Sequence, residues 1–521
     1  MINTTTCLAH ITRLLVGWII LILSNTHLLS AQNADQLHPN VIFILVDDLG
    51  YGDVNFNLPE GEEFRNPYVR TPNLAKLAGE SLVLRHHYAA SPVCSPSRAG
   101  LLTGRTPTRH NINLYIRDNR DDDLIFLPGR EVTIAEVLQS AGYQTAIFGK
   151  WHLNGADWED PKSWNGWTGS FPKQQGFEAG MVSKENPHFT RLLKTNTQKH
   201  PGDFFSVNGK PLGPIKGYTS DIITEAATSW LEKQRDTSCL FFLYLPYDAV
   251  HIRVAAADEY VNRYNTGDAR KDAYYANITH LDAAIGRLLN NLDSLGLTDN
   301  TLLFFSSDNG PDVLKKWEAT YYCYGTSYPL VGQKYQLYEG GIRVPGLVRW
   351  PGKIAPGISD APNSTLDILP TLCALVGQPQ PAGRALDGVS ILSHLISRKS
   401  IERERPLYWQ FEDPREFVTV GEGYNRRLDG SQQVDKPSPA VAIRAGNYVL
   451  RGFQTEEFTL PTQYTLYDIV NDPKEQQELS EVESDLFASL KQKLINMYQE
   501  VNAERIKTAT AIKQKISQVE R

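Results

Sequence analysis

Four short polar segments stand out because each directly follows an apolar run. Asp47-Asp48 follows Val41 to Val46, and Ser307-Asp308-Asn309-Gly310 follows Thr301 to Phe305. Lys150-Trp151-His152 follows Phe148-Gly149, and His251 lies just past a run ending in Leu245-Pro246. Asp47, Asp48 and Asp308, with the amide of Asn309, offer only oxygen donors, the set that Ca²⁺ or Mg²⁺ prefers over Zn²⁺. The alternative is that each aspartate caps a turn or helix, a common fate for Asp after a strand. Two vicinal carboxylates at one buried strand end and a third at another would repel one another without a cation, which favours the metal reading.

For these segments to share one site, the apolar runs must be neighbouring strands. Val41 to Val46, Tyr143 to Phe148, Leu240 to Leu245 and Thr301 to Phe305 suit parallel strands buried on both faces. Helix-like stretches alternate with them: Pro72 to Leu77, Thr133 to Ser140, Ser220 to Glu232 and Asp272 to Leu295. In the last, Tyr275, Ile278, Leu281, Ile285, Leu288, Leu289 and Leu292 mark one buried stripe. The alternation predicts an α/β fold with a mostly parallel sheet flanked by helices, whose ligand site lies at the carboxyl ends of the strands. From Ile401 the texture changes to short aromatic or β-branched runs between turns, then a helix from about Ser484 to Val501. This predicts a smaller C-terminal antiparallel α+β subdomain, with the Lys- and Gln-rich end to Arg521 solvated. The expected divisions are 1–31, 32–400 and 401–521.

The first of these is an address. Leu14 to Leu23 is apolar, Arg13 precedes it, and small residues near Ala31 suit signal peptidase. The run is shorter than the ~20 residues that span a bilayer, so a cleaved signal and a secreted or periplasmic protein are expected, with no membrane association afterwards. The 521 residues carry 52 Lys+Arg against 59 Asp+Glu, a net charge of −7, which excludes a protein built to neutralise nucleic-acid phosphates. Cys94, Cys239, Cys323 and Cys373 are too few for a disulfide framework in an exported chain of this length. Cys239 and Cys373 sit in apolar runs and read as core thiols.

Ser91-Pro92-Val93-Cys94-Ser95-Pro96-Ser97-Arg98, followed by Leu102-Thr103-Gly104-Arg105, resembles the signature of the type I sulfatases, members of the alkaline-phosphatase-like superfamily. Pro39 to Asp53, Gly149-Lys150-Trp151-His152-Leu153, Gln333 to Pro345 and Leu466-Tyr467-Asp468 resemble further segments of that family in the same order. The resemblance implies that a formylglycine-generating enzyme oxidises Cys94 to formylglycine (3-oxoalanine), reading Pro96 and Arg98. It implies one Ca²⁺, with Mg²⁺ the alternative, held by Asp47, Asp48, Cys94 in its modified form, Asp308 and Asn309. It also implies that Arg98, Lys150 and Lys334 supply positive charge, His251 protonates the leaving oxygen and His152 acts as base. The chain departs from the family around His251, where Tyr247-Asp248-Ala249-Val250 replaces a Pro-His approach, and before Lys334, where glycines are fewer.

These features point to an exported sulfatase acting on a sulfated polysaccharide or oligosaccharide, an algal polymer such as ulvan or a glycosaminoglycan. The competing readings are a phosphodiester or phosphonate ester hydrolase of the same superfamily, and a non-catalytic carbohydrate-binding protein with an unmodified Cys94. His86, His87 and His188 are further loop candidates for substrate contact. Trp151, Trp158, Trp164, Trp167 and Phe171 are candidate stacking faces whose commoner fate is core packing.

Overall fold

The computed structural model describes residues 38–57, 65–116, 126–154, 171–183, 205–207, 210–213, 215–313, 322–412, 438–454 and 458–519. Two units divide the chain, Met1–Pro39 and Asn40–Arg521, and the second carries everything below. The expected signal peptide, His188, Trp158, Trp164 and Trp167 lie outside the described residues.

The four apolar runs are neighbouring strands. Asn40–Val46 pairs in parallel with Phe241–Pro246 on one side and Thr301–Ser307 on the other. Gln144–Lys150 runs parallel beyond Phe241–Pro246. The first three are buried along their whole length, which is why they read as unbroken apolar runs. Alternate residues enter opposite layers: Ile42, Ile44 and Val46 meet the helices Thr219–Lys233 and Ala269–Ser294. Val41, Phe43 and Leu45 meet Cys94–Thr103, Ile134–Ser140 and Ile368–Leu375. In Ala269–Ser294 the predicted stripe is buried, with Leu289 only partly so.

Among the described residues the sheet has ten strands and is mixed, though mostly parallel. Gly346–Arg349 is inserted antiparallel between Thr301–Ser307 and Leu82–Leu84, and the edge strands Phe205–Val207 and Lys210–Pro211 are also antiparallel. Strands of two to four residues carry too little periodicity to be read from sequence.

A separate four-stranded antiparallel sheet orders Leu407–Gln410, Val441–Ala445, Tyr448–Phe453 and Gln463–Asp468. One face packs on Leu490, Leu494, Met497 and Val501 of the terminal helix, while Trp409, Ala442 and Val449 pack with Tyr88, Val93 and Cys94. The terminal helix is longer than the expected Ser484 to Val501. It runs Ser484–Val519, with Lys507 and Gln514 exposed toward its end, while Glu500, Glu504 and Thr508 bond the Arg105–Arg109 segment. Cys239 is a correction: it is half-exposed in a turn held by Asp236, whereas Cys373 is a core thiol. Among the described residues no helix is long and apolar enough to cross a membrane.

Candidate active site

Strand register assembles the site. Val46 lies opposite Ser307, so the residues that follow, Asp47-Asp48 and Asp308-Asn309, emerge side by side. Leu45 lies opposite Pro246, which brings the 247–251 segment to the other flank. The Asp308 carboxylate accepts from the Asp48 backbone N–H at 3.2 Å, and the Asn309 amide donates to Asp48 Oδ1 at 2.7 Å. Oxygens of Asp47, Asp48 and Asp308 lie within 4.8 Å of one another, all buried.

The three predicted cations interleave with these carboxylates. Lys150 Nζ donates to Asp47 Oδ2 at 2.6 Å, and Lys334 Nζ to Asp48 Oδ2 at 2.7 Å. Arg98 binds Asp308 through Nε at 2.9 Å and Nη2 at 2.7 Å, while its Nη1 donates to the Lys150 carbonyl at 2.8 Å. Asp312, 3.6 Å from Lys334, adds a fourth carboxylate that sequence reasoning missed. Burial alone would raise Asp47, but Lys150, His251 and Arg98 hold its carboxyl well below the usual range. Burial pushes Asp48 up to about 8; Lys334 opposes this, and Asp47, Asp312 and Asp308 reinforce it.

The donor set fits a hard divalent cation. All donors are oxygens, and two of them, Asp47 Oδ1 and Asn309 Oδ1, are buried without a hydrogen-bond partner. Orphaned acceptors of that kind carry a desolvation cost that a bound cation removes. In its thiol form Cys94 is not one of the clustered ligand atoms.

Cys94 opens the buried helix Cys94–Thr103, whose first-turn N–H groups lack intrahelical partners and favour a neighbouring anion. Burial raises its thiol to about 12, although Lys150 and Lys334 act against the rise. At neutral pH such a thiol is neither a nucleophile nor a metal ligand.

The two histidines flank this group. His152 Nε2 donates to the Ile116 carbonyl at 2.8 Å, which leaves Nδ1 as the basic atom, and Ile116 N–H in turn bonds Ser95 Oγ beside Cys94. Burial, then Lys150, keeps the ring's pKa well below its ordinary value, so the imidazole is neutral. His251 Nδ1 donates to the Ile252 carbonyl at 2.6 Å, and Nε2 is 3.6 Å from Asp48 Oδ2. Asp48, His152 and Tyr335 all adopt left-handed backbone (φ 62°, 54° and 68°), a costly conformation that clusters at functional sites. Gly149 (φ 127°) is obligatory, because a Cβ there would lie 2.0 Å from the Pro246 carbonyl oxygen.

Other sequence candidates are structural. His87 bonds Asn363 at 2.6 Å and Ser306 at 3.1 Å, and His86 accepts from Arg444 at 2.9 Å, so both are buried fasteners, not substrate contacts. Trp151 is 1% exposed and packs edge-on against Phe177; Phe171 packs on the same core. Sequence reasoning missed the aromatic run Tyr115, Tyr335 and Phe411, with centroids 6.4 Å apart at each step, beside Lys334. Only the adjacency of Tyr335 to Lys334 signalled it.

With this geometry the relatives agree. The sulfatase family model matches residues 39–378. The chain is 31% identical over 421 residues to N-acetylgalactosamine-6-sulfatase of Mus musculus, covering 78% of this chain and 74% of that one. It is 28% identical over 515 residues to N-acetylgalactosamine-6-O-sulfatase of Bacteroides thetaiotaomicron, covering 89% and 94%. The crystal structure of Ps i-CgsB in complex with k-i-k-neocarrahexaose superposes with a TM-score of 0.70 at 25% identity, covering 90% of this chain and 93% of that one. A family match over more than half the chain, on a fold that gathers these carboxylates and cations at its strand ends, has one meaning: the chain belongs to the sulfatase family and is a sulfuric ester hydrolase.

Proposed function

We propose that this enzyme hydrolyses sulfate monoesters on a sulfated polysaccharide or oligosaccharide, a glycosaminoglycan or an algal polymer, after Cys94 has been converted to formylglycine. The observation that carries the reading is the convergence of Arg98, Lys150 and Lys334 on buried carboxylates around residue 94. The names of the relatives supply the carbohydrate class. We also propose 1–31 as a signal peptide of an exported protein, 32–400 as the catalytic domain and 401–521 as its C-terminal companion.

Asp47, Asp48, Asp308 and Asn309 would hold Ca²⁺ or Mg²⁺, with the modified residue 94 completing the set. When bound, that cation offsets negative charge on the sulfate oxygens and lowers the pKa of the residue-94 hydroxyl. Lys150, Lys334 and Arg98 keep fixed positive charge in a dry site, where it stabilises developing negative charge most effectively. The ionised hydroxyl of the residue-94 hydrate attacks sulfur, and the bond from sulfur to the sugar oxygen breaks. His251 gives that oxygen a proton. His152 Nδ1 then takes the proton of the second hydroxyl, the bond from residue 94 to the sulfate oxygen breaks, and sulfate leaves as the aldehyde re-forms. One water adds to the aldehyde to restore the hydrate, and the net proton released passes to solvent. Unmodified Cys94 carries a neutral thiol and no geminal hydroxyls, so it would neither attack sulfur nor expel sulfate.

Mass analysis of the peptide bearing residue 94 is the direct test. Active enzyme is expected to show loss of one sulfur and two hydrogens with gain of one oxygen. Full activity with an intact thiol would sink the mechanism. Parallel assays on sulfate and phosphate esters separate this reading from a phosphoester hydrolase.

A further inference from the structure

Around the start of the helix Ala269–Ser294, four basic side chains lie over tyrosine rings. The Arg263 guanidinium carbon is 4.8 Å from the centre of Tyr260, and that of Arg70 is 4.7 Å from the centre of Tyr264. Lys271 Nζ sits 3.8 Å above Tyr68, and the Arg270 guanidinium 4.3 Å above Tyr322. The row is continuous: Arg70 Nη1 donates to the Arg263 carbonyl at 2.5 Å, and Tyr264 and Tyr68 both stack on Tyr275. Arg70, Arg263 and Arg270 are exposed and Lys271 half-exposed. Arg270 has a carboxylate partner, Asp268, whereas Arg70, Arg263 and Lys271 have none within 4.0 Å among the described residues.

The row is anchored to the site. Tyr322 adjoins Cys323, which is buried within electrostatic reach of Asp312 and Asp48. From the same helix, Tyr274 OH donates to Asp53 at 3.3 Å, and Asp53 also accepts from Gly50 and Thr326 in the loops beside the carboxylates. On a chain of net charge −7, three cations stack on aromatic faces with no carboxylate within 4.0 Å among the described residues. They remain available to an anion even though Asp258, Glu259, Asp268 and Asp272 share the segment.

We infer that the Arg70–Arg263–Lys271 row is a second binding surface for the polymer, engaging sulfate groups on sugar units away from the one being hydrolysed. The inference rests on the reading of the substrate as a sulfated carbohydrate. It gives the enzyme grip on a polyanionic chain that a single sulfated sugar cannot use. Exposed ion pairs are each worth a factor of roughly two to five, so losing three should cost about tenfold to a hundredfold in polymer affinity.

The test compares full-length enzyme carrying Arg70→Gln, Arg263→Gln and Lys271→Gln with a control carrying Lys233→Gln, Lys353→Gln and Lys493→Gln. The control removes the same charge from exposed positions on other elements. Affinity for chondroitin sulfate polymer is measured against salt, with single-stranded DNA as a phosphate polyanion and 4-nitrophenyl sulfate hydrolysis as the report of an intact site. The row variant is expected to lose at least about tenfold in glycan affinity with a shallower salt dependence, while the control stays within about twofold. Unchanged glycan affinity, equal loss in both variants, or an equal loss of DNA binding would overturn the proposal. If the triple variant fails to hydrolyse 4-nitrophenyl sulfate, Lys271→Glu alone decides by the same measurements. Wild-type enzyme that binds the polymer through the row yet releases no sulfate from it or its oligosaccharides would refute the substrate reading and leave the surface standing.

Discussion

Replacing Arg109 with methionine keeps most of its apolar stem and removes a guanidinium that is 1% exposed. Nε and Nη2 grip both oxygens of Asp387 at 2.8 Å, Nη2 also reaches Glu500 at 2.7 Å, and Nη1 reaches Glu504 at 2.8 Å. The two glutamates are 48% and 30% exposed, so water recovers them and each bond is worth at most about 1 kcal/mol. Asp387 is 4% exposed and would keep only the Thr106 N–H at 2.7 Å and Arg405 at 3.9 Å, and breaking one side of a buried pair costs roughly 3–5 kcal/mol. The expected total is therefore about 4 kcal/mol. The loss must depend on pH. Burial tends to raise the Asp387 carboxyl, and Arg109 reverses this and holds it low. In the wild type that depressed pKa contributes stability above the unfolded carboxylate range and loses it as pH falls. In the variant the largest cause of that lowering is gone, and only the Thr106 N–H and Arg405 remain to oppose burial. The gap between the two proteins should therefore narrow as pH falls from about 6 to about 3. Urea unfolding at both pH values, with hydrogen exchange of the Ser484–Val519 amides, measures it. A loss under about 1 kcal/mol, identical at the two pH values, would refute the claim that this contact fastens the terminal helix.

His251→Ala should cost on the order of 10²–10⁴-fold on a sugar sulfate and far less on an aryl sulfate, whose phenolate leaves without a proton; steady-state rates on both substrates check this. His152→Ala should slow both equally and accumulate an enzyme sulfated at residue 94, visible by intact mass. Burial raises Asp53 from an ordinary 3.8 to about 7, against bonds from Gly50, Thr326 and Tyr274. A raised carboxyl loses stability as pH climbs through that window, so thermal melts should show Asp53→Asn costing roughly 2–3 kcal/mol less at pH 8 than at pH 5. Chelation should lower activity and melting temperature together, because removing the cation restores repulsion among Asp47, Asp48 and Asp308; melting unaffected by chelator would count against the ligand set.

The sequence by itself determined the central strands, the main helices and three carboxylates of the cluster, Asp47, Asp48 and Asp308, but not Asp312. Runs such as Val41 to Val46 are buried on both faces and admit no polar residue until the chain leaves the sheet, so Asp47 and Asp48 are marked by the end of the run. Asp308 and Lys150 are marked less sharply, because Ser306 and Ser307 precede Asp308 within the strand and Lys150 is itself the last strand residue. What only the tertiary structure decided depends on register and on contacts between segments far apart in the chain. Val46 opposite Ser307 places Asp47 beside Asp308, and no local pattern records that pairing. His86 and His87 look like candidates in isolation, yet Arg444 and Asn363, more than 270 residues away, consume them as fasteners. The Lys- and Gln-rich end of the terminal helix is exposed at Lys507 and Gln514, yet Glu500, Glu504 and Thr508 on the same helix are partners of Arg105 and Arg109. A polar surface that meets a complementary one is indistinguishable in sequence from one that meets water.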